Sequence, residues 1–451
     1  MSIFKRINAV YHIGNILKSI REERSFQLLD VQKMTGIDSS QLSRIENGKR
    51  LPTIEQLNRL SNLYNIDNKM MLVQRESDKI ITSMEDPTIG IESLDAAKEK
   101  ILLGQQYLTV FKETYLSDPI SLSSRRYIGS KTKLLDWIFD TINENTDGIH
   151  TFCDIFSGTG VVAERALSEY DNVIVNDLLY SNNVIYKAFF EDGDWNKDKL
   201  YDILTEYNSI IPDSLDENYF SKNFGGKFFE YSESKRIGYI RQDIEDRKSE
   251  MTEKEYNILL ATLIYNIDKI ANTLGHYEAY IQKPIPHKPL VLKLIDAKDY
   301  KNIEIYKEDS NQLARHIHSD LVYIDPPYNS RQYSRFYHLY ETLVKWDNPE
   351  LYGVAMKPAP ENMSEYCSNR AAKAMKDLVA NLDTKYIAVS YNNTYNSKSS
   401  SSENKIQQEE LLQILNDIGP TKRFEQSHRA FNAGKTEFKD HKEFLFITRV
   451  K

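Results

Sequence analysis

Cysteine is almost absent from this sequence, and long apolar runs are missing altogether. Cys153 and Cys367 are the only two cysteines in 451 residues, too few for a disulfide framework or a zinc site built on cysteines. No apolar run is long enough to span a bilayer, and the first residues are mixed and basic, unlike a secretory signal. We therefore expect no membrane segment and a reducing, cytoplasmic setting, with Cys153 a small buried hydrophobe.

The sequence also lacks an excess of positive charge. Its net charge of −8 argues against a protein that coats nucleic acid over its whole surface. Residues 1–75 contain 12 lysines and arginines against 7 acidic residues, so a basic module precedes an acidic body. A chain of this length indicates two or three domains. The acidic body can still bind DNA if its positive charges are gathered in one cleft.

The basic module contains a helix-turn-helix pattern. In GIDSSQLSRIENGKRLPT, Asp38 is placed to cap a helix, with Gln41 as its capping-box partner, and the helix ends near Gly48. In this plan the second helix enters the major groove and its first residues contact bases. The residues expected to contact DNA are Ser39, Ser40, Gln41, Ser43, Arg44, Lys49 and Arg50.

This stretch resembles the Cro/C1-type (XRE) helix-turn-helix family. The resemblance implies an all-α DNA-binding domain at residues 1–75. The alternative is a helical bundle that mediates only dimer or domain contacts. Residues 76–120 are expected to be a linker, because ESLDAAKEKILLGQQYLTVFKETYL has helical periodicity and no catalytic pattern. We interpret that stretch as a docking or dimerising helix.

A glycine-rich turn follows the linker. GIHTFCDIFSGTGVVAERAL has the pattern of a strand, a turn and a helix, and Gly158 and Gly160 let the backbone approach a ligand closely. The next predicted strand, NVIVNDL, ends in Asp177 about twenty residues later, where an acid can bind ribose hydroxyls. The turn lacks the Gly-Lys-Ser/Thr ending of a P-loop and departs from G-x-G-x-x-G. It therefore indicates a nucleoside-bearing cofactor, not a dinucleotide.

Two further strands end in acidic residues. IEIYKEDSNQL is expected to end near Asp309, and DLVYID ends at Asp325. Because ligands bind beyond the carboxyl ends of parallel strands, these acids and Asp177 should lie together. Asp325 opens the tetrapeptide DPPY, and prolines cannot continue a central strand. The tetrapeptide is therefore either a rigid turn or a stiff loop whose carboxylate and ring hold a flat substrate.

Five motifs, in order, resemble those of the Dam-like class of adenine-specific DNA methyltransferases. They are RYIGSK, DIFSGTG, NTLGHYEAYIQKP, DPPY and VSYNN. The resemblance implies an α/β fold in which residues 121–190 and 300–451 form a Rossmann-like, mostly parallel methyltransferase domain. Residues 191–299 would be a helical target-recognition insertion. The implied reaction transfers the methyl group of S-adenosylmethionine to the N6 amine of an adenine flipped out of double-stranded DNA.

The same resemblance implies roles for single residues. Tyr127 would contact the cofactor adenine, Lys131 the cofactor carboxylate, and Asp177 the ribose hydroxyls. The cofactor-binding set is Tyr127, Lys131, Asp154, Phe156, Ser157, Gly158, Gly160, Asp177 and Asp309, the last binding the adenine amine. The catalytic set is Asp325, Pro326, Pro327 and Tyr328. The residues expected to hold the DNA backbone and the vacated base stack after the catalytic loop are Arg331, Tyr333, Arg335, Phe336 and Tyr337. Taken singly, Asp154 or Phe156 also suits a core or turn, and the residues after the loop also suit a helix start with core aromatics.

The chemistry of an adenine amine fits this assignment. The amine is conjugated with the ring and is a poor nucleophile. The Asp325 carboxylate and the Pro326 carbonyl can accept its two hydrogens, which frees a lone pair on nitrogen, and two prolines keep the carbonyl direction fixed. Tyr328 would stack on the base. No metal is needed, and the absence of a Pro-Cys pair speaks against methylation of a cytosine carbon.

Other functions remain open at this point. The chain suits the modification half of a restriction system, with a cognate endonuclease as partner, or a solitary methylase with possible autoregulation. One alternative is a DNA-binding transcription regulator with an inactive methyltransferase fold. Another is an RNA adenine methyltransferase, which the duplex-reading helix-turn-helix disfavours. The target sequence and the choice between monomer and dimer are not encoded in a visible pattern.

Overall fold

The computed structural model describes residues 12–84, 90, 92–100, 119–393, 404–427 and 442–451. The chain divides into two compact units, Met1–Gln106 and Tyr107–Lys451. The first unit is all-α in its described part. Its helices are α1 (Ile13–Glu23), α2 (Leu28–Thr35), α3 (Ser39–Glu46), α4 (Ile54–Tyr64) and α5 (Asn68–Ser83), and residues 92–100 are also helical.

Helix α3 begins where the sequence predicts it. The Asp38 side chain accepts hydrogen bonds from the Ser40 and Gln41 amides. Gln41 does not complete a capping box; its side-chain oxygen accepts a hydrogen bond from Gln56 of α4 at 2.9 Å instead. A buried ion pair between Arg21 and Glu46, 2.7 Å apart, ties α1 to the end of α3. The second helix of the helix-turn-helix motif, α3, is thereby bound to both α1 and α4.

The linker is described only in part. Helix α5 runs through residue 75, the predicted border of the first domain. Leu94, in the predicted docking stretch, is exposed, and residues 101–116 of that stretch lie outside the described residues. The predicted domain ranges and the docking role therefore stay predictions.

The second unit is built on one seven-stranded sheet with the order β3-β2-β1-β4-β5-β7-β6. Neighbouring strands from β3 to β5 are parallel, and β7 runs antiparallel to both β5 and β6. The strands are β1 (Thr151–Asp154), β2 (Asn172–Asn176), β3 (Ile303–Tyr306), β4 (His318–Ile324), β5 (Asp383–Asn392), β6 (Thr421–Ser427) and β7 (Lys442–Arg449). The predicted α/β fold with a mostly parallel sheet is confirmed.

Both faces of the sheet are buried, which explains the apolar runs in its central strands. Phe152 and Leu321 belong to the core on one face, and Cys153 and Val322, the next residues along, belong to the core on the other. Cys153 is fully buried, and burial raises the pKa of its thiol well above the usual value. It is the small buried hydrophobe that the sequence predicts.

Helices cover the two faces of the sheet. Between Phe189 and Ile303 the chain forms four α-helices and two short 3-10 helices, and residues of the α-helices belong to the core on one face of the sheet. The α-helices of this unit are α6 (Leu135–Asn145), α7 (Val161–Ala166), α8 (Tyr180–Phe189), α9 (Lys197–Ser209), α10 (Tyr219–Phe224), α11 (Tyr231–Asp246), α12 (Glu253–Ile270), α13 (Ser310–Leu313), α14 (Tyr333–Phe336), α15 (His338–Lys345), α16 (Ala371–Asn381) and α17 (Gln408–Ile418).

The carboxyl ends of the five parallel strands meet at one edge of the sheet. Asn176, at the end of β2, fastens the loops there. Its side-chain nitrogen donates to the carbonyls of Ile155 and Glu308, at 3.1 Å each, and its oxygen accepts from the Glu308 amide at 2.9 Å. The loops after β1, β2 and β3 are therefore held together by one buried amide.

At the opposite edge of the sheet, Asp320 of β4 binds the start of β1 and a lysine of β5. Its carboxylate accepts from the His150 and Thr151 amides at 2.8 and 3.0 Å and pairs with Lys385 of β5 at 2.7 Å. Burial by itself would raise the pKa of Asp320, but Lys385 and the two amides outweigh burial and lower the pKa to about 2.

We predict that Asp320→Asn lowers the free energy of unfolding at pH 7 by about 1–2 kcal/mol. An aspartate in the unfolded chain has a pKa of about 3.9. The wild-type advantage should therefore be complete above pH ~5 and shrink as the pH falls from ~4 towards 2. Urea unfolding at several pH values measures the difference in the free energy of unfolding between the wild type and Asp320→Asn. Asp383→Asn, at an exposed carboxylate 3.0 Å from His318, is the control. A difference that does not change with pH would refute the assignment.

Candidate active site

A cavity opens at the carboxyl edge of the sheet and has about 960 Å³ of space, its open mouth included. Of the residues predicted to bind cofactor or catalyse, those that line it are Tyr127, Lys131, Asp154, Phe156, Ser157, Gly158, Asp177, Asp309, Asp325, Pro326, Pro327 and Tyr328. Gly160 does not line the cavity. It packs against Tyr186, and a Cβ added at Gly160 would lie 3.1 Å from the Tyr186 ring. Residues that the sequence separates widely thus share one cavity, but their individual roles stay predictions.

The glycine-rich turn has the conformation that its glycines permit. Gly158 and Gly160 have φ angles of +50° and +80°, which favour glycine strongly. Asp177 braces the turn, since its carboxylate accepts from the Gly158 amide at 3.0 Å and from the Leu179 amide at 2.8 Å. Burial raises the pKa of Asp177. The carboxylate predicted to bind ribose hydroxyls therefore also holds the turn against the next helix.

Asp154, at the end of β1, is the most isolated charge in the cavity wall. It is 1% exposed, and neither of its carboxylate oxygens has a hydrogen bond of good geometry in the described part of the chain, although the Ser157 hydroxyl and the Phe156 amide are near enough to act against the rise of its pKa. Burial, followed by the negative charge of Asp325, raises the pKa of Asp154 well above its usual value. A buried carboxylate without a hydrogen bond of good geometry in a cavity wall is suited to a positively charged ligand group.

Lys131 and Tyr328 both bind the carboxylate of Asp325. The Lys131 ammonium lies 2.8 Å from Oδ2 of Asp325 and donates to the Tyr328 hydroxyl at 2.9 Å. The Tyr328 hydroxyl in turn donates to Oδ1 of Asp325. The sequence predicts that Lys131 binds the cofactor carboxylate, and that role stays a prediction. In the structure its ammonium contacts Asp325 and Tyr328 of the catalytic loop and the Gly129 carbonyl, the last at 3.3 Å.

Lys131 and Asp325 each shift the pKa of the other. Burial raises the pKa of Asp325, and the nearby charge of Lys131 opposes that shift. Burial would lower the pKa of Lys131, but Asp325 and then Glu443 of β7 raise it. The ammonium therefore stays charged among several carboxylates and favours the ionised form of Asp325.

The catalytic loop is held at both ends. The Lys405 amide donates to the Tyr328 carbonyl at 2.7 Å, and the Tyr328 ring packs edge-on against Tyr391 of β5 at 4.8 Å. Further on, Gln332 exchanges two hydrogen bonds with the backbone of Ser364, at 2.8 and 2.9 Å. The two prolines thus lie in a loop that neighbouring segments also fix.

The residues predicted to hold DNA after the loop have internal partners. Tyr333 lines the cavity and donates to the Ile128 carbonyl at 3.1 Å. Arg335 donates to the Pro358 carbonyl at 2.6 Å, and the Arg331 guanidinium lies 5.9 Å from the Phe336 ring centroid. Their contact with DNA stays a prediction, and Tyr333 is better placed to shape the cavity.

In the first unit, the predicted DNA-contacting residues lie on α3 and the turn after it. Ser40, Arg44, Lys49 and Arg50 are exposed, whereas Ser39, Gln41 and Ser43 are half-buried. Gln41 is oriented by its bond to Gln56. The arrangement matches a helix that presents polar side chains outwards, and DNA contact stays a prediction.

Sequence analysis missed several residues of the cavity wall. Asn362, Ser364 and Tyr366 line it, and the Tyr366 ring lies 5.0 Å from Phe156. They come from an irregular segment between two helices, which carries no periodic or motif signal. Asn176 was also missed, although a buried asparagine directly before Asp177 at a strand end is a detectable pattern.

Two negative findings apply to the described residues. Among them, no group of three or more histidines, cysteines or acids is arranged to hold a metal ion. No helix in that part of the chain has the length and apolar character needed to cross a membrane.

Comparisons with known proteins agree with the geometry. A model of D12 class N6 adenine-specific DNA methyltransferases matches residues 127–378, and a helix-turn-helix domain model matches residues 14–77. Type II methyltransferase M.FokI of Planomicrobium okeanokoites is 35% identical over 65% of this chain and 47% of its own length. M.CviAII of Paramecium bursaria Chlorella virus 1 and M.NlaIII of Neisseria lactamica are each 30% identical, over 72% and 71% of this chain and 98% of each relative. The chain thus spans about half of M.FokI and nearly all of the other two.

We predict that Asp154→Asn weakens binding of S-adenosylmethionine by about tenfold or more, because an ion pair with a cationic group of the cofactor is lost. The unfolding temperature of the ligand-free variant should not fall, since the substitution removes a buried carboxylate that has no hydrogen bond of good geometry. Calorimetric titration and thermal unfolding measure the two effects. Unchanged affinity, or a large loss of stability without ligand, would contradict the assignment.

Proposed function

Because the chain belongs to the D12 class of N6 adenine-specific DNA methyltransferases and carries a helix-turn-helix domain, we propose that it methylates adenine N6 at a specific sequence in double-stranded DNA. One observation carries the proposal: Asp325 of the proline-stiffened loop faces the same cavity as the glycine-rich turn at Gly158. A nucleoside-bearing cofactor and a flat base can therefore meet at one carboxylate.

The cavity residues fit S-adenosylmethionine, which supplies an activated methyl group on a positively charged sulfur. Asp154 would pair with a cationic part of the cofactor, since its oxygens have no hydrogen bond of good geometry in the described chain. Asp177 would accept ribose hydroxyls. Asp309 would accept the adenine amine, because only one of its oxygens caps α13, accepting from Asn311 and Gln312. Phe156 and Tyr127 line the same wall.

Asp325 and Pro326 would act on the target base. A carboxylate has about four acceptor positions, so Asp325 can accept a hydrogen from the adenine amine while Lys131 and Tyr328 remain bound. The Pro326 carbonyl would accept the second hydrogen. Together they would draw the nitrogen towards tetrahedral geometry and direct its lone pair at the methyl donor.

Base flipping brings the adenine to these groups. Extrusion costs a few kcal/mol, which stacking in the pocket offsets in part. The Tyr328 ring is the candidate stacking surface. It is oriented by Tyr391 and by its hydroxyl contacts, so it would be placed before the base arrives.

The helix-turn-helix domain supports DNA over RNA as the substrate, because it reads the major groove of a duplex. We propose that α3 binds duplex DNA, either at the target site or at the gene's own promoter. The names of the type II relatives favour a modification enzyme with a partner endonuclease. A regulator with an inactive methyltransferase fold is the second candidate, and the complete Asp325–Tyr328 loop in the cavity disfavours it.

We predict that Asp325→Asn reduces methyl transfer to DNA by at least about a hundredfold, because one acceptor for the amine hydrogens loses its charge. S-adenosylmethionine affinity should change little. Transfer of labelled methyl groups and calorimetric titration measure the two quantities separately. Full transfer activity in this variant would remove Asp325 from the catalytic assignment.

We also predict that Lys131→Met moves the acid limb of the kcat/KM profile to higher pH by about one unit or more. Loss of the ammonium removes the charge that favours ionised Asp325, so the pKa of Asp325 rises further. Lys131→Arg, which keeps the charge, is the control and should restore the limb. If the limb stays in place and only the KM for S-adenosylmethionine rises, Lys131 binds the cofactor carboxylate instead.

A further inference from the structure

Two tyrosine hydroxyls hold the backbone of the segment that carries Tyr127. The Ile128 amide donates to the Tyr337 hydroxyl at 2.9 Å, and the Ile128 carbonyl accepts from the Tyr333 hydroxyl at 3.1 Å. Both tyrosines follow the catalytic loop. The position of the cofactor-side segment therefore depends on the segment after that loop.

Tyr337 also contacts the target-recognition side. Its hydroxyl lies 3.5 Å from the Gly275 carbonyl, as donor. The Tyr277 amide donates to the carbonyl of Phe336, the residue before Tyr337, at 2.8 Å. The stretch around Gly275 lies in the insertion that the sequence assigns to target recognition. Tyr337, which follows the catalytic loop, thus contacts both the cofactor-side segment at Ile128 and the insertion at Gly275.

A stack of aromatic rings reinforces these contacts. The rings of Tyr127 and Tyr337 are stacked with centroids 4.5 Å apart and an interplanar angle of 7°. Tyr337 is also nearly parallel to Tyr340, whose hydroxyl donates to Asp268 at 2.9 Å. Asp268 in turn pairs with Arg126, next to Tyr127 in the chain, at 3.2 Å. The stack and the ion pair form a closed path between the insertion and the cofactor-side segment.

The centre of this path, Tyr337 and Tyr340, is buried. Tyr337 is 1% exposed, and it stands between α14 and α15, where its ring has neighbours on several sides. Packed side chains do not shift independently, because interiors have few voids. A displacement of the Gly275 stretch must therefore displace Tyr337, and with it Ile128.

We propose that Tyr337 is a positioning residue that couples cofactor binding to target-DNA binding. This inference rests on the proposed function. DNA that orders the Gly275 stretch fixes the Tyr337 hydroxyl and ring, and so fixes the segment of Tyr127 and Ile128 in the form that binds cofactor. By linkage, the cofactor raises DNA affinity by the same factor that DNA raises cofactor affinity.

The test measures a coupling factor, which is the dissociation constant of one ligand alone divided by its dissociation constant in the presence of the other ligand. The ligands are S-adenosylhomocysteine, which cannot transfer a methyl group, and a labelled duplex that contains the methylated site found in DNA from an expressing host. In the wild type, each ligand should tighten binding of the other by about fivefold or more. In Tyr337→Phe that factor should fall close to one, even if both ligands still bind separately.

Tyr207→Phe is the matched control. Tyr207 is as buried as Tyr337, and its hydroxyl bond, to Asp243 at 2.8 Å, joins α9 to α11 and does not involve Ile128 or Gly275. This control should keep the wild-type coupling factor. A purely structural role for Tyr337 would lower stability or both affinities without changing the factor. Coupling that survives in Tyr337→Phe, or is absent from a wild type that methylates DNA, overturns the inference and leaves the proposed function intact.

Hydrogen exchange on the unmodified protein tests the same path without a variant. The duplex alone should slow amide exchange in residues 127–131, and S-adenosylhomocysteine alone should slow it in residues 272–277. Absence of both effects overturns the inference. A wild type that methylates no DNA would overturn the proposed function as well.

Discussion

The ion pair between the buried Lys131 and the half-buried Asp325 is the interaction on which the proposed active site depends. Asp325 stands at the end of a central strand, where burial raises its pKa, and a protonated carboxyl would be a poorer acceptor for an amine. Lys131 comes from a distant part of the chain and supplies the opposing charge. Its ammonium lies 2.8 Å from the Asp325 carboxylate. Removing one partner of such a pair typically costs ~3–5 kcal/mol, because the other charge is left buried alone. The charge of Lys131 therefore lowers the pKa of Asp325 against the effect of burial, and the pair also joins the segment of Lys131 to the loop of Asp325.

The sheet makes this pair possible. Parallel strands deliver Asp154, Asp177 and Asp325 to one edge, and the buried amide of Asn176 fastens the loops between them. Carboxylates gathered so closely repel one another, and burial raises the pKa of each of the three. A cationic cofactor would relieve that repulsion. In the proposed function, a positively charged ligand near Asp154, the most deeply buried of the three, would offset this repulsion.

Much of this arrangement could be predicted from the sequence, because it follows from local rules. Strand ends, the glycine-rich turn and the proline pair are local signals, and parallel strands place their carboxyl ends together. The partner of Lys131, the inward position of Tyr333 and the bond between Gln41 and Gln56 could not be predicted. Each depends on how distant segments pack, and the irregular segment that carries Ser364 has no periodicity to indicate its path. Prediction therefore succeeded for the strands and their acids and failed for side chains that join separate segments.

Sequencing of modified bases in DNA from cells that express the protein tests the central claim most directly. The account predicts N6-methyladenine at one fixed sequence, and none at that sequence in the same cells when they express Asp325→Asn. Methylation of cytosine, or unmodified DNA from cells that contain folded protein able to bind S-adenosylmethionine, would contradict it.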